Sequence, residues 1–192
     1  MPAPKILAFA GSVRKESFNR KLIRIAVRAA EEAGARVTLI ELADYPLPMF
    51  DQDLEATAYP ENAGKLKQLF LEHDGLLIAA PEYNSSITPL TKNTIDWVSR
   101  STSKGEPSVA AFRGKVAGLV SASPSQLGGL RGLVHLRAIL GNISVLVVPE
   151  QATVPVANEA FNENGFLKDP KRTQAVENVA KSVVTVLTKL KG

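Results

Sequence analysis

Three short polar stretches carry most of the side chains that could do chemistry. The first, Gly11-Ser-Val-Arg-Lys-Glu-Ser-Phe-Asn19, packs hydroxyls at Ser12 and Ser17, a guanidinium at Arg14 and an amide at Asn19 into nine residues. Ahead of a helix N-terminus, these donors and the free backbone N–H groups would surround an anion. A capped helix with a surface arginine explains Ser17 and Asn19 but leaves the clustering of donors as coincidence, so a phosphate cradle is favoured. The second stretch, Pro81-Glu-Tyr-Asn-Ser-Ser86, joins a restrained backbone to an aromatic face at Tyr83 and polar contacts at Asn84, Ser85 and Ser86. It suits a flat ring that stacks and hydrogen-bonds; the alternative is a strand-end turn whose Asn and Ser cap the next helix. Glu82 is the odd member, because its carboxylate either points away from such a ring or pairs with an arginine. In the third stretch, Ser121-Ala-Ser-Pro-Ser-Gln-Leu-Gly-Gly129, the glycine pair either lets backbone approach a flat ligand or makes a tight turn.

What is missing narrows the chemistry. There is no cysteine, and His73 and His135 are the only histidines. Thiol nucleophiles, disulfides and thiolate metal sites are therefore out, and a His-rich metal cage is not expected. Any electron transfer needs an added organic cofactor. Gly-Lys-Ser/Thr, which a P-loop requires, does not occur, and no G-x-G-x-x-G follows the first apolar run. Ala10-Gly-Ser12 has no carboxylate with which to build a receiver-type acidic pocket. A ligand with one phosphate, such as flavin mononucleotide, remains.

The elements that must position these stretches follow from apolar patterning. Lys5–Ala10, Arg36–Leu42, Gly75–Ala80, Val116–Ser121 and Val145–Val148 read as strands, several of them apolar throughout, as in a sheet covered on both faces. Helices are expected from Ser17 or Asn19 to about Ala33, from Pro60 to about His73, from Pro89 to about Arg100, from Gly129 to about Leu140 and from Pro170 to Lys191. Residues 43–60 read as an irregular Pro/Asp-rich connection and 101–114 as a polar one. Alternating strands and helices predict an α/β doubly wound sheet of five parallel strands with helices on both faces, a single domain over residues 1–192. Ligands of such sheets bind beyond the carboxyl ends of the strands. The three polar stretches follow strands one, three and four, so all fall on that edge and predict one composite site.

Net charge is +4, with apolar residues at 45% and charged residues at 22%, an ordinary globular composition. The basic excess lies in 14–36, with seven Lys/Arg against three Glu, and in 168–192, with six against two acids. These charges are not interleaved with aromatics and no nucleic-acid-binding motif accompanies them, so nucleic acid is not an expected partner. No apolar run approaches the ~20 residues of a membrane span. The apolar N-terminal run leads directly into a Gly-Ser turn rather than a cleavage site, and a cytoplasmic location is expected. His73 reads as a helix C-terminal residue, His135 as a packing or interface residue and Trp97 as core or interface. Arg131 and Arg137 lie six apart on one helix, off a common face, and either could meet a partner subunit.

Gly-Ser-x-Arg-x-x-Ser-x-Asn at 11–19, Pro81-Glu-Tyr-Asn-Ser-Ser86, Lys92-Asn-Thr-Ile-Asp-Trp97 and Ser121-x-Ser-Pro-Ser-Gln-x-Gly-Gly129 together resemble the NAD(P)H-dependent FMN reductase family, which includes quinone, azo-dye and chromate reductases. The resemblance spans roughly residues 5–150 and implies a flavodoxin-like fold. It places phosphate-loop roles on Ser12, Arg14, Ser17, Phe18 and Asn19. It places isoalloxazine and ribityl contacts on Pro81, Glu82, Tyr83, Asn84 and Ser85, and on Ser121, Ser123, Gln126 and Gly128. It implies FMN as cofactor, NADPH or NADH as donor, a small oxidant (quinone, free flavin, azo compound or chromate) and a homodimer or homotetramer. No side-chain nucleophile or metal is required. Two other classes stay open: a flavodoxin-type electron carrier, against which a pI near 9.4 and Arg14 argue, and a non-catalytic flavin-sensing module. The choice between NADH and NADPH, and the identity of the oxidant, are not legible.

Overall fold

A computed structural model describes residues 2–191. In chain order its elements are β1 (Lys5–Ala10), α1 (Phe18–Glu32), β2 (Arg36–Ile40), α2 (Gln52–Thr57), α3 (Glu61–Glu72), β3 (Gly75–Ala79), β4 (Glu82–Tyr83), β5 (Ser86–Ile87), α4 (Pro89–Val98), β6 (Val116–Ala122), α5 (Leu130–Asn142), β7 (Leu146–Val154), α6 (Ala157–Ala160) and α7 (Pro170–Lys191). The five long strands form one parallel sheet in the order β2-β1-β3-β6-β7. This is the doubly wound order in which the chain reverses direction of winding after β2, and it opens a crevice beyond β1 and β3.

The sheet separates two apolar clusters, which explains why the central strands are apolar at every position. Along β1, Ile6, Ala8 and Ala10 pack on one face with α1 and α7 residues such as Leu22, Ala26, Val179 and Val183. Leu7 and Phe9 point to the other face, against Leu66 and Phe70 of α3, Val98 of α4 and Leu136 of α5. Alternate side chains of a strand face opposite sides, so a strand buried on both loses its polar alternation. Trp97 lies wholly in the core: it is 0% exposed, and its Nε1 donates to the Pro48 carbonyl at 2.8 Å.

The structure corrects three boundaries. The fifth sheet strand does not stop at Val148. The pairing register of β6 with β7 shifts between Ala117 and Leu119, where Val147 and Gln151 are the respective partners. The Pro149-Glu150 pair sits in that irregularity on an edge strand, the place a sheet tolerates proline, and the strand resumes to Val154. Arg137 secures the bend by donating to Val147 O and Gln151 Oε1, both at 3.2 Å. The 43–60 connection contains α2, capped by the Asp51 carboxylate, which accepts from the Asp53 and Leu54 amides. No residue of α2 is buried, so it leaves no apolar periodicity to read. β2 ends at Ile40, and Leu42 opens a 3-10 turn instead. No helix among the described residues is long and apolar enough to cross a membrane.

Candidate functional site

All three polar stretches emerge on the carboxyl edge of the sheet, after β1, β3 and β6. They meet around one cleft of about 70 Å³, which the structure lines with Ser12, Arg14, Ser17, Phe18 and Asn19 from the first. Pro81, Glu82 and Tyr83 come from the second stretch, and Ser123 from the third together with Ala122 and Pro124. Sequence reasoning missed Ala122 and Pro124, although Pro124 lies inside the Ser-Pro-Ser segment that it used.

The first loop is shaped by what holds its ends. The Gly11 amide donates to Ala79 O at 2.9 Å, continuing the β1–β3 ladder one residue past the strand. The Gly11 carbonyl accepts from the buried Thr88 hydroxyl at 2.9 Å. A Cβ at this position would lie 2.0 Å from Thr91 Oγ1, so glycine is needed here for the close approach of α4. Ser17 occupies the N-cap of α1, is 4% exposed, and makes no side-chain cap bond. Its hydroxyl and the first-turn amides of Phe18 and Asn19 therefore have no acceptor among the described residues. The Arg14 side chain has no partner either among the described residues, while its amide donates to Ser12 Oγ at 3.3 Å.

Asn19 does something other than expected with its side chain. It is 3% exposed, with Nδ2 donating to Ala122 O at 2.8 Å and Oδ1 accepting from Ala122 N–H at 2.9 Å. The amide group thus staples the first loop to the third, leaving only the Asn19 backbone N–H for a ligand.

The second stretch is a two-residue β-hairpin. Asn84 and Ser85 have positive φ, 49° and 63°, as the primed turns of tight hairpins demand, and β4 pairs with β5 across them. Asn-Ser at a turn was the available signal. Three bonds strap the hairpin to α5: Gly132 N–H donates to Glu82 Oε2 at 2.9 Å, Arg131 Nη1 donates to Ser85 Oγ at 3.0 Å, and His135 Nδ1 lies 2.9 Å from Ser86 Oγ. The Glu82 carboxylate caps the first turn of α5, where the helix dipole favours negative charge, and pairs with no arginine among the described residues. Tyr83 is 51% exposed and offers its ring at the mouth of the cleft.

In the third stretch the structure separates supports from lining. Ser121 is fully buried and its hydroxyl donates to Ala80 O at 2.7 Å, tying β6 to the end of β3. Gly128 and Gly129 both have positive φ, 61° and 92°; a Cβ on the first would lie 2.6 Å from Pro155 N and on the second 1.9 Å from Ser121 Oγ. The glycine pair forms a tight turn packed against β6 and the end of β7. Asn84 and Gln126 are exposed and, like Ser85, Ser121 and Gly128, lie outside the set of residues lining the cleft. His73 caps α3, its ring nitrogens 2.6 Å from Leu69 O and 2.7 Å from Thr38 Oγ1.

A larger groove of about 340 Å³ runs between α1, α7 and the 164–167 loop, away from the strand-end loops. Two of its cations are already paired, Arg28 with Glu32 at 2.8 Å and Lys21 with Glu16 at 3.4 Å. The strand-end cleft, by contrast, presents an uncommitted guanidinium, two hydroxyls and free helix-terminal amides. That donor set fits a phosphate, and the one carboxylate on the lining is engaged elsewhere.

Fold and site together define a flavodoxin-like α/β protein with a polar cleft at the switch in strand order. Residues 4–159 match the NADPH-dependent FMN reductase family, and the chain belongs to that family. An NAD(P)H-dependent FMN reductase of Pseudomonas aeruginosa is 31% identical over 191 residues, covering 98% of this chain and 97% of the relative. An NAD(P)H:quinone oxidoreductase of Solanum tuberosum is 32% identical over 197 residues, covering 100% and 96%. Among solved structures, FerB, a flavoenzyme NAD(P)H:(acceptor) oxidoreductase from Paracoccus denitrificans, superposes with a TM-score of 0.79 at 26% identity, covering 97% of this chain and 98% of that one.

Proposed function

We propose that the chain is an FMN-dependent NAD(P)H oxidoreductase that reduces small oxidants of the quinone type, acting as one FMN-binding domain over residues 1–192. The observation that carries this reading is the convergence of the β1, β3 and β6 loops on one cleft that presents a guanidinium, serine hydroxyls and helix-terminal amides without protein acceptors among the described residues. In this reading Ser12, Ser17 and Arg14 hold the phosphate, assisted by the Phe18 and Asn19 amides at the positive end of α1. Pro81, Tyr83 and the hairpin backbone form one wall for the ring system, with Ser123 and Pro124 opposite. Ser121 and Gly128 act behind the wall, holding it in place, and Glu82, on the lining, straps the hairpin to α5. The redox chemistry itself, hydride uptake from nicotinamide and electron delivery to the oxidant, belongs to bound FMN. With Tyr83 at an open mouth, nicotinamide and oxidant would use the same face in turn, which predicts ping-pong kinetics.

The same reading includes a homo-oligomer. Leu130 and Val134 are one turn apart on α5, 38% and 54% exposed, beside exposed Leu127 and the hairpin that α5 carries. A second copy of the chain on that strip would enclose the mouth of the cleft; light scattering of the purified protein gives the state. A reductase that consumes NAD(P)H belongs where that nucleotide is supplied, so the proposed location is the cytoplasm.

The test is the visible spectrum of the purified, FMN-loaded protein before and after anaerobic NADPH and, separately, NADH. Bleaching by either nucleotide is expected. Bound flavin that neither nucleotide bleaches would make the chain an electron carrier, and a colourless protein that takes up no added FMN would overturn the assignment of all three loops.

A further inference from the structure

The first loop is gripped from behind by a side chain that no motif marks. Arg20, in the first turn of α1, donates from Nη1 to the carbonyls of Arg14 and Lys15 at 3.3 and 3.4 Å. Its Nη2 lies 2.8 Å from Glu41 Oε1, just past the end of β2. The pair is half-buried, with side chains 21% and 30% exposed. Arg20 Nε is buried with no acceptor among the described residues, so the guanidinium is oriented for its two carbonyls and its carboxylate at the expense of a third donor. In a planar trans peptide the N–H points opposite to the C=O. Holding the carbonyls of Arg14 and Lys15 toward Arg20 therefore turns the N–H groups of Lys15 and Glu16 away from it. Neither amide has a protein acceptor among the described residues. The Arg14 carbonyl also accepts from Ser17 N–H at 3.2 Å, so the same clasp sets the turn that presents the Ser17 hydroxyl.

We propose that the Arg20–Glu41 pair is a positioning clasp for the anion loop, one that fixes the peptide planes at 14–16 so that Arg14 and Ser17 are held in place for a phosphate. The proposal rests on the FMN reading above. Arg20 acts through the loop rather than on the ligand, and pre-organisation of this kind strengthens binding without adding a contact.

Dissociation constants for FMN and riboflavin, measured by flavin fluorescence on the full-length protein freed of bound flavin, separate the possibilities. Riboflavin lacks the phosphate and reports the ring wall alone. Arg20→Ala is expected to weaken FMN on the order of tenfold while riboflavin is unchanged. Arg20→Lys keeps the charge but not the fork that spans two carbonyls and a carboxylate, and is expected to stay weak for FMN. Glu41→Gln gives opposite signs for the two explanations. Removing a negative charge near a phosphate tightens FMN if Arg20 acts only through its field. Releasing the clasp weakens FMN, on the order of threefold for a half-exposed pair. FMN binding that is unchanged or tighter in Glu41→Gln, full recovery by Arg20→Lys, or equal losses for both flavins would overturn the clasp. If Arg20→Ala does not fold, Glu41→Gln alone decides. Wild-type protein that binds neither flavin would instead sink the FMN reading, and the clasp with it.

Discussion

Asn19→Ala is the most informative single change, because the side chain it removes joins two of the three loops. The Asn19 amide makes two bonds to the backbone of Ala122, at 2.8 and 2.9 Å, in a place that is 3% exposed. Alanine leaves the Ala122 N–H and C=O without partners in a volume too small for easy rehydration. Each intramolecular hydrogen bond contributes about 0.5–1.5 kcal/mol net, and an orphaned buried group adds to the loss, so the expected destabilisation is about 2–4 kcal/mol. For a chain of this size that corresponds to a drop in Tm of roughly 5–15 °C. The measurement is urea or thermal unfolding of the flavin-free protein, since bound ligand would add its own stabilisation and mask part of the loss. A destabilisation below about 1 kcal/mol would refute the staple, as it would mean that water replaces the amide at Ala122. Flavin binding supplies a second readout. Loosening the junction of the first and third loops should weaken FMN and riboflavin alike.

Arg14→Ala should behave differently: loss of a charge-assisted contact predicts about 1.5–3 kcal/mol weaker FMN with riboflavin hardly changed, and equal losses would remove Arg14 from the phosphate. The Glu106 carboxyl is held below its ordinary value near 4.5 by the hydrogen bond from buried Lys67, with burial opposing and the Thr102 amide assisting. A depressed carboxyl stabilises the fold above its unfolded value and loses that contribution as pH falls through the folded one. The urea midpoint of the wild type should therefore fall more steeply below about pH 4.5 than that of Glu106→Gln; parallel acid limbs would contradict it. Tyr59 is pushed up to about 12 by burial and then by the nearby negative charges of Glu55 and Glu106. Its contribution is complete below the ordinary tyrosine value of 10.0 and is lost as pH rises toward about 12. Phenolate absorbance of the native protein should show one late-titrating tyrosine that disappears in Tyr59→Phe.

The sheet and its carboxyl-edge site were legible because both are written locally. Strands that are apolar at every position, and polar stretches placed directly after three of them, need no tertiary knowledge to be read. The fifth strand was expected to end at Val148, but Pro149 lies on an edge strand at a bulge, where a proline is tolerated, and the strand runs on to Val154. The helix α2 was invisible because it buries no residue and is held by polar contacts, its Asp51 cap and the Glu55–Arg100 pair. Within the site, residue types were legible and their uses were not. Asn19, Ser121 and Glu82 carry the polar groups a ligand would want, yet each is spent on protein backbone at positions 41 to 103 residues away in the chain. Only the fold decides which of several polar side chains faces the cleft and which faces the wall behind it.

That division explains how a cleft with so few reactive groups can serve electron transfer. Each loop has its loose backbone groups tied up by a side chain from another element: Gly11 O by Thr88, Ala122 by Asn19, Ala80 O by Ser121, and the α5 amide of Gly132 by Glu82. What remains pointing inward is a set of donors, the hydroxyls of Ser12 and Ser17, the guanidinium of Arg14 and first-turn amides of α1. The Glu82 carboxylate on the lining accepts from the Gly132 amide, which ties it to the first turn of α5. The redox chemistry proposed for the site asks for no side-chain base or nucleophile. The site can hold a negatively charged cofactor in one orientation and oppose no charge that develops on it, which is what a flavin needs from the protein around it. Rigidity is then the functional quantity, and the buried staples and the clasp behind the loop are where mutations should alter it.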